Sequence, residues 1–245
     1  FQDTFNGYNT VDGFARVDQA FIELGGWRMG YSESAWNQTM KGGVSNWGSH
    51  SWTGMSYAYQ QRPLISYSFG ANGFSGTLSL EDDGGNNYVP DVVGVLAYNA
   101  GWGGVWAKVA YDESLANGNL AASAGLQLNV PNMPGSNFRL IGFYSGSRFN
   151  DYGVTYDAGV GIPFVRAANW SVLASYNHAF SSTLSASIAY QYFDGFGNLP
   201  NGHLGELSVV WMPVKNFEVR GELGYAKTQG FNGTTSGFVR FTRYF

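Results

Sequence analysis

The segment TSGFVRFTRYF, residues Thr235 to Phe245, ends the chain and decides how the rest is interpreted. In an extended strand, successive side chains point to opposite faces. One face here is apolar and the other is polar or charged, namely Phe245, Phe241 and Val239 against Tyr244, Thr242 and Arg240. A strand that shows lipid one face and water the other, and ends on an aromatic residue, is typical of an outer-membrane β-barrel.

The composition agrees with a barrel better than with a soluble domain. The chain has 16 Tyr, 18 Phe, 8 Trp and 35 Gly in 245 residues, whereas only 12% of its residues are charged. A soluble domain has about 25% charged residues. The mean hydropathy of -0.17 is uninformative, because lipid-facing and lumen-facing residues cancel in any average along a barrel strand. The net charge of -4 argues against a nucleic-acid partner.

Period-two alternation predicts an all-β, transmembrane antiparallel barrel with about thirteen visible strands. The whole chain, 1–245, reads as one barrel domain. The predicted strands cover residues 14–24, 26–33, 57–69, 73–82, 89–99, 102–113, 118–130, 137–147, 168–177, 182–193, 204–212, 216–228 and 235–245.

Aromatic residues recur at the strand ends, where girdles at the two membrane interfaces are expected. They are Trp27, Tyr67, Trp102, Tyr111, Trp170, Tyr176, Tyr192 and Trp211. A soluble sandwich would show the same alternation, but with more Lys and Glu on its polar faces.

The connections alternate between short and long, as periplasmic turns and external loops do. Because the chain ends on the periplasmic side, an odd set of strands must begin on the external side and cannot close as an even-stranded barrel. No signal peptide is recognisable in FQDTFNGYNTVDG, residues 1–13. Either further strands precede Phe1 or the predicted strand count is wrong by one.

Three stretches resemble the alphaproteobacterial general porins, the family of the major porins of Brucella and rhizobia. They are QAFIELGGWRMGYSESAW (Gln19–Trp36), YVPDVVGVLAYNAGWGGVWAKVAYDES (Tyr88–Ser114) and GFVRFTRYF (Gly237–Phe245). The resemblance implies a sixteen-stranded, homotrimeric, water-filled barrel among outer-membrane lipid and lipopolysaccharide, with a third external loop folded into the lumen. It also implies that three strands precede the first one visible here.

The connection 34–56 follows the strand that precedes the constriction loop in that family, and we expect it to narrow the pore. It carries Lys41, His50 and three tryptophans, Trp36, Trp47 and Trp52. It has no acidic residue beyond Glu33 at its root, which departs from the acid-rich loop of the family. The sequence therefore predicts a weakly selective pore.

Alternation places a mixed set of charges on the predicted lumen face, which a water-filled pore tolerates and a dry core does not. The predicted pore-lining residues are Arg28, Arg62, Lys108, Arg139, Arg220, Arg240, Glu23, Glu33, Glu218 and Glu222, with Glu81 and Glu206 also inward.

The function expected is passive diffusion of small hydrophilic solutes and ions across the outer membrane. Two rivals stay open: a substrate-specific channel, in which the loop tryptophans form a sliding surface for sugars, and a structural or adhesive barrel that conducts nothing. Three scattered histidines and no cysteine give no metal site, no cofactor is implied, and no nucleophile elbow indicates an enzyme.

Overall fold

The computed structural model of the chain describes residues 18–38, 60–85, 89–156 and 168–244. Within these ranges, thirteen strands form one antiparallel sheet in which each strand pairs with its neighbours in the chain. The strands are β1 (Ala20–Leu24), β2 (Trp27–Glu33), β3 (Gln61–Ala71), β4 (Phe74–Glu81), β5 (Asp91–Ala100), β6 (Gly103–Tyr111), β7 (Leu120–Asn129), β8 (Asn137–Ser145), β9 (Trp170–Ala179), β10 (Leu184–Asp194), β11 (Gly202–Val214), β12 (Phe217–Thr228) and β13 (Thr234–Arg243). In the same ranges we find no helix long and apolar enough to span a bilayer.

The predicted all-β antiparallel architecture with thirteen strands is confirmed, and most boundaries shift by only one to four residues. Residues 14–17, 57–59 and 245 of the predicted strands lie outside the described residues. The largest extension is β11, which pairs with β12 from Gly202 to Val214 through an irregularity after Trp211. The alternation of apolar and polar residues is weak at this end of β11, because a bulge breaks the period of two. The expected sixteen-strand total stays a prediction.

The connections lie alternately at the two ends of the sheet. At one end, which we call the short-turn end because most of its connections are short, they are residues 25–26, 72–73, 101–102, 130–136, 180–183 and 215–216; at the other, which holds the two longest connections, they are 34–60, 82–90, 112–119, 146–169, 195–201 and 229–233. In the turn between β3 and β4, Asn72 and Gly73 have φ angles of 52° and 84°. Positive φ at both central positions is what a two-residue hairpin needs to match the twist of its strands.

The outer face of the sheet is apolar along its whole width. On β11, for example, Leu207, Val209 and Trp211 are exposed, and the intervening residues face inward. Aromatic pairs lie near both ends: Trp27 packs on Tyr67 beside the short turns and Trp170 on Tyr192 beside the long connections, each with ring centroids 5.0 Å apart. An exposed apolar surface this large requires a lipid environment.

The buried core lies on the inner face, mainly along β5 to β10. Two pieces of the long connections pack against it, and we call residues 34–38 and 150–156 the inward segments. The cluster comprises Val93, Val95, Ala97, Trp106, Ala110, Ala121, Ile141, Phe143, Leu173, Ala189 and Phe193 from the strands, with Ala35, Trp36, Tyr152, Val154, Tyr156 and Ala168 from the connections.

Candidate functional site: the lumen

The first inward segment follows β2 and turns into the interior at once. The backbone N–H groups of Asn37 and Gln38 both donate to the Ser34 carbonyl at 3.0 Å, and that of Ser34 donates to the Gln60 carbonyl at 3.0 Å. This single tight turn presents Trp36 to the wall, where its side chain is only 1% exposed. The root of the predicted constriction loop therefore lies against the inner face of the sheet.

Lys108 holds this turn from the middle of β6. Its ammonium Nζ donates to the Trp36 carbonyl oxygen at 2.6 Å, and the residue is 1% exposed. Alternation on β6 points Trp106, Lys108 and Ala110 inward together. Because a buried ammonium group is costly without a partner, this hydrogen bond ties the loop root to the wall.

Glu81, at the end of β4, bridges the two inward segments. Its carboxylate Oε1 accepts the Ala35 backbone N–H at 2.9 Å, and its Oε2 accepts the Tyr152 hydroxyl at 3.3 Å. The Trp36 and Tyr152 rings also meet edge to face at 5.8 Å. The two segments are thus packed on each other as well as on the wall.

Arg62 and Asp91, at the adjacent ends of β3 and β5, fix the second inward segment. The Arg62 guanidinium donates from Nη1 to Asp91 Oδ2 at 2.9 Å and from Nη2 to Asp151 Oδ2 at 2.8 Å. The Tyr152 hydroxyl donates to the same Asp91 oxygen at 2.8 Å, and Arg62 lies 4.9 Å from the centre of the Tyr152 ring. We call these five residues the inner network: Arg62, Asp91, Asp151, Tyr152 and Glu81.

The two tyrosines of the second inward segment keep their protons. Burial, reinforced by the nearby Glu81 carboxylate, raises the pKa of Tyr152 far above its usual value. Burial, followed by the charge of Asp194, raises the pKa of Tyr156 to about 12. Both hydroxyls therefore stay hydrogen-bond donors at neutral pH, Tyr156 to the Pro200 carbonyl at 2.6 Å.

A different wall, formed by β12 and β13, carries paired charges. Glu218 Oε1 accepts from Arg220 Nε and from Arg240 Nη2, both at 3.1 Å, and its Oε2 accepts the Tyr244 hydroxyl at 3.3 Å. Glu222 follows Arg220 at the next inward position of β12, on the same face. The wall offers charges of both signs at close range.

At the other edge of the sheet, β1 to β4 line a cavity of about 430 Å³. Arg28 and Glu23 form an ion pair in it, with Nη2 to Oε1 at 2.6 Å, and their side chains are 25% and 57% exposed. The remaining polar lining is mostly hydroxyl and amide groups, namely Ser66, Ser68, Ser75, Thr77 and Gln38. Polar side chains thus share the lining of this cavity with Leu24, Trp27 and Phe69.

The remaining predicted residues are distributed as follows. Arg139 shares the inner face and donates to Gln127 Oε1 at 2.7 Å, Glu206 is buried on the inner face of β11, and Glu33 ends β2 half-buried. Four residues of the predicted constriction loop lie outside the described residues: Lys41, Trp47, His50 and Trp52.

Arg62, Lys108 and Trp36 are all buried at the inward segments. Arg62 and Lys108 face inward, as alternation predicts, and each donates to an inward segment. Trp36 is packed against Tyr152. Their roles in lining or constricting the pore stay predictions, because alternation gives the face of a side chain but not what folds over it.

Sequence reasoning missed the second inward segment and with it Tyr152, Asp91 and Asp151. The available signal was the length of the connection between β8 and β9, 146–169, together with the Asp-Tyr pair inside it. A long connection with an aromatic residue beside a carboxylate is a candidate for packing within the molecule, although the neighbouring sequence does not say which surface it packs against.

An antiparallel sheet with an apolar outer face, an inner face with paired charges and loops folded inside defines an outer-membrane barrel of the porin kind. Residues 2–240 match the Porin subfamily, and the chain belongs to that family. It is accordingly a protein of the bacterial outer membrane.

Proteins with similar sequences include the Omp2b porins of Brucella. The chain is 27% identical to Porin Omp2b of Brucella neotomae and 26% identical to that of Brucella abortus strain 2308, in each case over 94% of this chain and 63% of the relative. The chain thus spans somewhat less than two thirds of the length of these relatives.

Solved structures share the fold at low sequence identity. The outer membrane channel DcaP of Acinetobacter baumannii superposes with a TM-score of 0.63 at 13% identity, covering 96% of this chain and 75% of that one. The anion-selective porin from Comamonas acidovorans gives a TM-score of 0.59 at 14% identity, covering 90% and 72%.

Proposed function

We propose that the protein forms a water-filled channel through which small hydrophilic solutes and ions diffuse passively across the outer membrane. The observation that carries this proposal is the chemical contrast between the two faces of one sheet. The outer face is apolar, whereas the inner face bears ion pairs and a polar cavity around Arg28 and Glu23. Family membership supports a channel rather than an enzyme.

The charges also support weak rather than strong ion selectivity. Glu23 pairs with Arg28, and Glu218 pairs with both Arg220 and Arg240, so opposite signs offset each other along the wall. A pore lined by one sign of charge would concentrate the opposite ion much more strongly. A homotrimer surrounded by lipid and lipopolysaccharide is part of the same proposal.

Planar-bilayer recording on the detergent-purified protein tests the proposal. We expect stepwise openings with a conductance linear in voltage and salt, and a cation-to-anion permeability ratio within a few-fold of one. Absence of openings would support a non-conducting barrel and contradict the proposal. A saturating block by one solute class, such as sugars, would instead indicate a substrate-specific channel.

A further inference from the structure

We propose that the lipid-facing side of β10 to β12 binds the phosphorylated sugar headgroup of a glycolipid in the outer leaflet of the membrane. The site lies at the end of the sheet opposite the short-turn end, which is the external side in outer-membrane barrels. Lys227 and His203 bind the phosphate there, and the connections beyond them bind the sugar hydroxyls. The site rests on the proposed function only in that the barrel is surrounded by such lipid.

Lys227 is a cation on the outer, lipid-facing surface of the sheet. Tyr225 and Lys227 of β12 are exposed and point outward, whereas Thr228, the next residue, is buried on the inner side. Arg220 of the same strand faces inward and pairs with Glu218. Beside lipid, the phosphate of a headgroup is the anion that a lysine reaches by extending its long side chain toward the membrane surface.

His203 lies directly opposite Lys227 on the neighbouring strand β11. Side chains opposite each other in an antiparallel pair have Cβ atoms about 4.5–5.5 Å apart, so one phosphate group can contact both. The imidazole is held from β10, because the Tyr190 hydroxyl lies 2.7 Å from His203 Nδ1 and the Tyr192 ring meets the imidazole edge to face at 5.3 Å. When the hydroxyl donates to Nδ1, the ring proton is on Nε2, which donates to a phosphate oxygen.

The outward residues of these strands change in character toward the external side. Leu207 of β11 is aliphatic, and two positions further Gly205 lies between Tyr190 and Tyr225. A Cβ at Gly205 would meet no atom within 4 Å, so the space between the two tyrosine rings is open to an acyl chain. The next outward position of β12 is Lys227. This order, aliphatic, aromatic and cationic, follows that of acyl chain, interface and phosphate in a glycolipid inserted beside a barrel.

A polar cavity of about 600 Å³ lies directly beyond Lys227 and His203. Asn201 and Gln229, each two positions from one of these residues in the sequence, line it together with Asp194. Amide groups donate to and accept from hydroxyl groups, and the carboxylate accepts from them while it repels a phosphate. The cavity therefore suits a sugar, whereas Lys227 and His203 suit its phosphate.

The short-turn end offers matched control positions. His178 of β9 also has a tyrosine hydroxyl, that of Tyr176, 3.1 Å from its Nδ1, but it lies opposite Ala186 instead of a lysine. Lys215 lies in the exposed turn between β11 and β12. Substitutions at His178 and Lys215 therefore repeat the chemical change made at the proposed site, at the other side of the membrane.

The test is a titration of the detergent-purified full chain with bisphosphorylated lipid A, in which native mass spectrometry measures the bound lipid. Because Lys227→Met and His203→Phe each remove a donor to the phosphate, we expect each to weaken binding about fivefold or more. The controls K215M and H178F are expected to stay within about twofold of the parent chain. Heat-modifiable gel mobility verifies the folding of every variant.

Two further lipids test which part of the headgroup is recognised. We expect the parent chain to bind dephosphorylated lipid A about fivefold more weakly than the bisphosphorylated form. Phosphatidylglycerol, which has a phosphate but no sugar, is also expected to bind more weakly, because it leaves the polar cavity unfilled.

Equal weakening in K227M and K215M, or unchanged binding in K227M and H203F, would overturn the site. Phosphatidylglycerol bound as tightly as lipid A would overturn its assignment to a glycolipid. Single-channel recording of the parent chain separates the site from the proposed function. Conduction without the expected differences in lipid binding overturns the site alone, and the expected binding without conduction overturns the channel alone.

Discussion

At the scale of single residues, the same type of side chain has different roles on different parts of the inner face. Lys108 is enclosed and holds a backbone carbonyl, whereas Arg240 lies on the polar wall and pairs with Glu218. Both are basic residues at inward positions of a strand. What separates them is the presence of a packed segment above Lys108, which removes water and makes a hydrogen-bond partner obligatory.

Replacing Lys108 by Met is expected to loosen the loop root without unfolding the sheet. The Trp36 carbonyl loses its donor, while the cost of burying an ammonium group disappears, so the two contributions to the free energy of unfolding offset within about 1 kcal/mol. We expect larger fluctuations of the open-channel current in K108M, measured by single-channel recording. K215M, at an exposed turn, is the matched control, and equal noise in both variants would contradict the anchoring role.

Replacing Tyr152 by Phe tests the inner network. The change removes the donor to Asp91 at 2.8 Å and to Glu81 at 3.3 Å and leaves both buried carboxylates short of a partner. We expect the free energy of unfolding to fall by about 1–3 kcal/mol, measured by urea titration in lipid vesicles with tryptophan fluorescence.

The control for that measurement is Tyr31→Phe, because Tyr31 lies on the exposed outer face and its hydroxyl makes a single long contact of 3.4 Å. We expect Y31F to stay within about 0.5 kcal/mol of the parent chain. A Y152F effect no larger than that of Y31F would mean that the network does not stabilise the fold.

At the scale of elements, the strands follow from the sequence and the turns fix how they pair. The outer and inner residues of β12, for example, are apolar and charged in strict alternation from Phe217 to Leu223, apart from Gly221. A shift of register by one residue would put Glu222 into lipid, so one pairing is strongly favoured. The Asn72–Gly73 turn sets the register of β3 and β4 in the same way.

Gly73→Ala is expected to destabilise this hairpin. Gly73 has φ of 84°, and a Cβ there would lie 2.5 Å from the Asn99 carbonyl oxygen. We expect a loss of more than about 1 kcal/mol of unfolding free energy, by the same urea titration. Gly142→Ala is the control, since a Cβ at Gly142 meets no atom within 4 Å; a loss of similar size in both variants would refute the role of the turn.

At the scale of the whole molecule, the apolar outer surface and the buried cluster on the inner face together explain why a chain with so few charges can fold. Lipid covers the outer face, and the inward segments pack on the inner face along β5 to β10. The molecule therefore combines a membrane surface, a core and a polar lumen in one sheet.

On the lipid-facing surface, the cost of introducing a charge is expected to depend on its depth in the bilayer. Leu207 lies outward near the middle of β11 and Val214 at its short-turn end, and both are exposed. We expect Leu207→Arg to lower the free energy of unfolding in vesicles by about 2–4 kcal/mol and Val214→Arg by about 0–1 kcal/mol. Equal costs at the two positions would contradict the placement of the strand in the bilayer.

The sequence was sufficient for the class of fold, the number of visible strands and the face of each side chain. These depend on a period of two and on turn residues, which are local properties of the chain. Alternation alone thus assigned Arg220 and Glu218 to the inner face. The burial of Trp36 could not be predicted in this way, because it packs against Tyr152, more than a hundred residues further along the chain.

The terminal segment Thr235 to Phe245 likewise has some properties that its sequence determines and others that depend on the tertiary structure. By itself it determined an amphipathic membrane strand, since two faces of opposite polarity are written directly into its alternation. Only the tertiary structure decided that Arg240 shares Glu218 with Arg220, and that the inward segments pack on the inner face of β5 to β10. The reason is physical: alternation fixes which way a side chain points, whereas its partner and its exposure to water depend on contacts between distant parts of the chain.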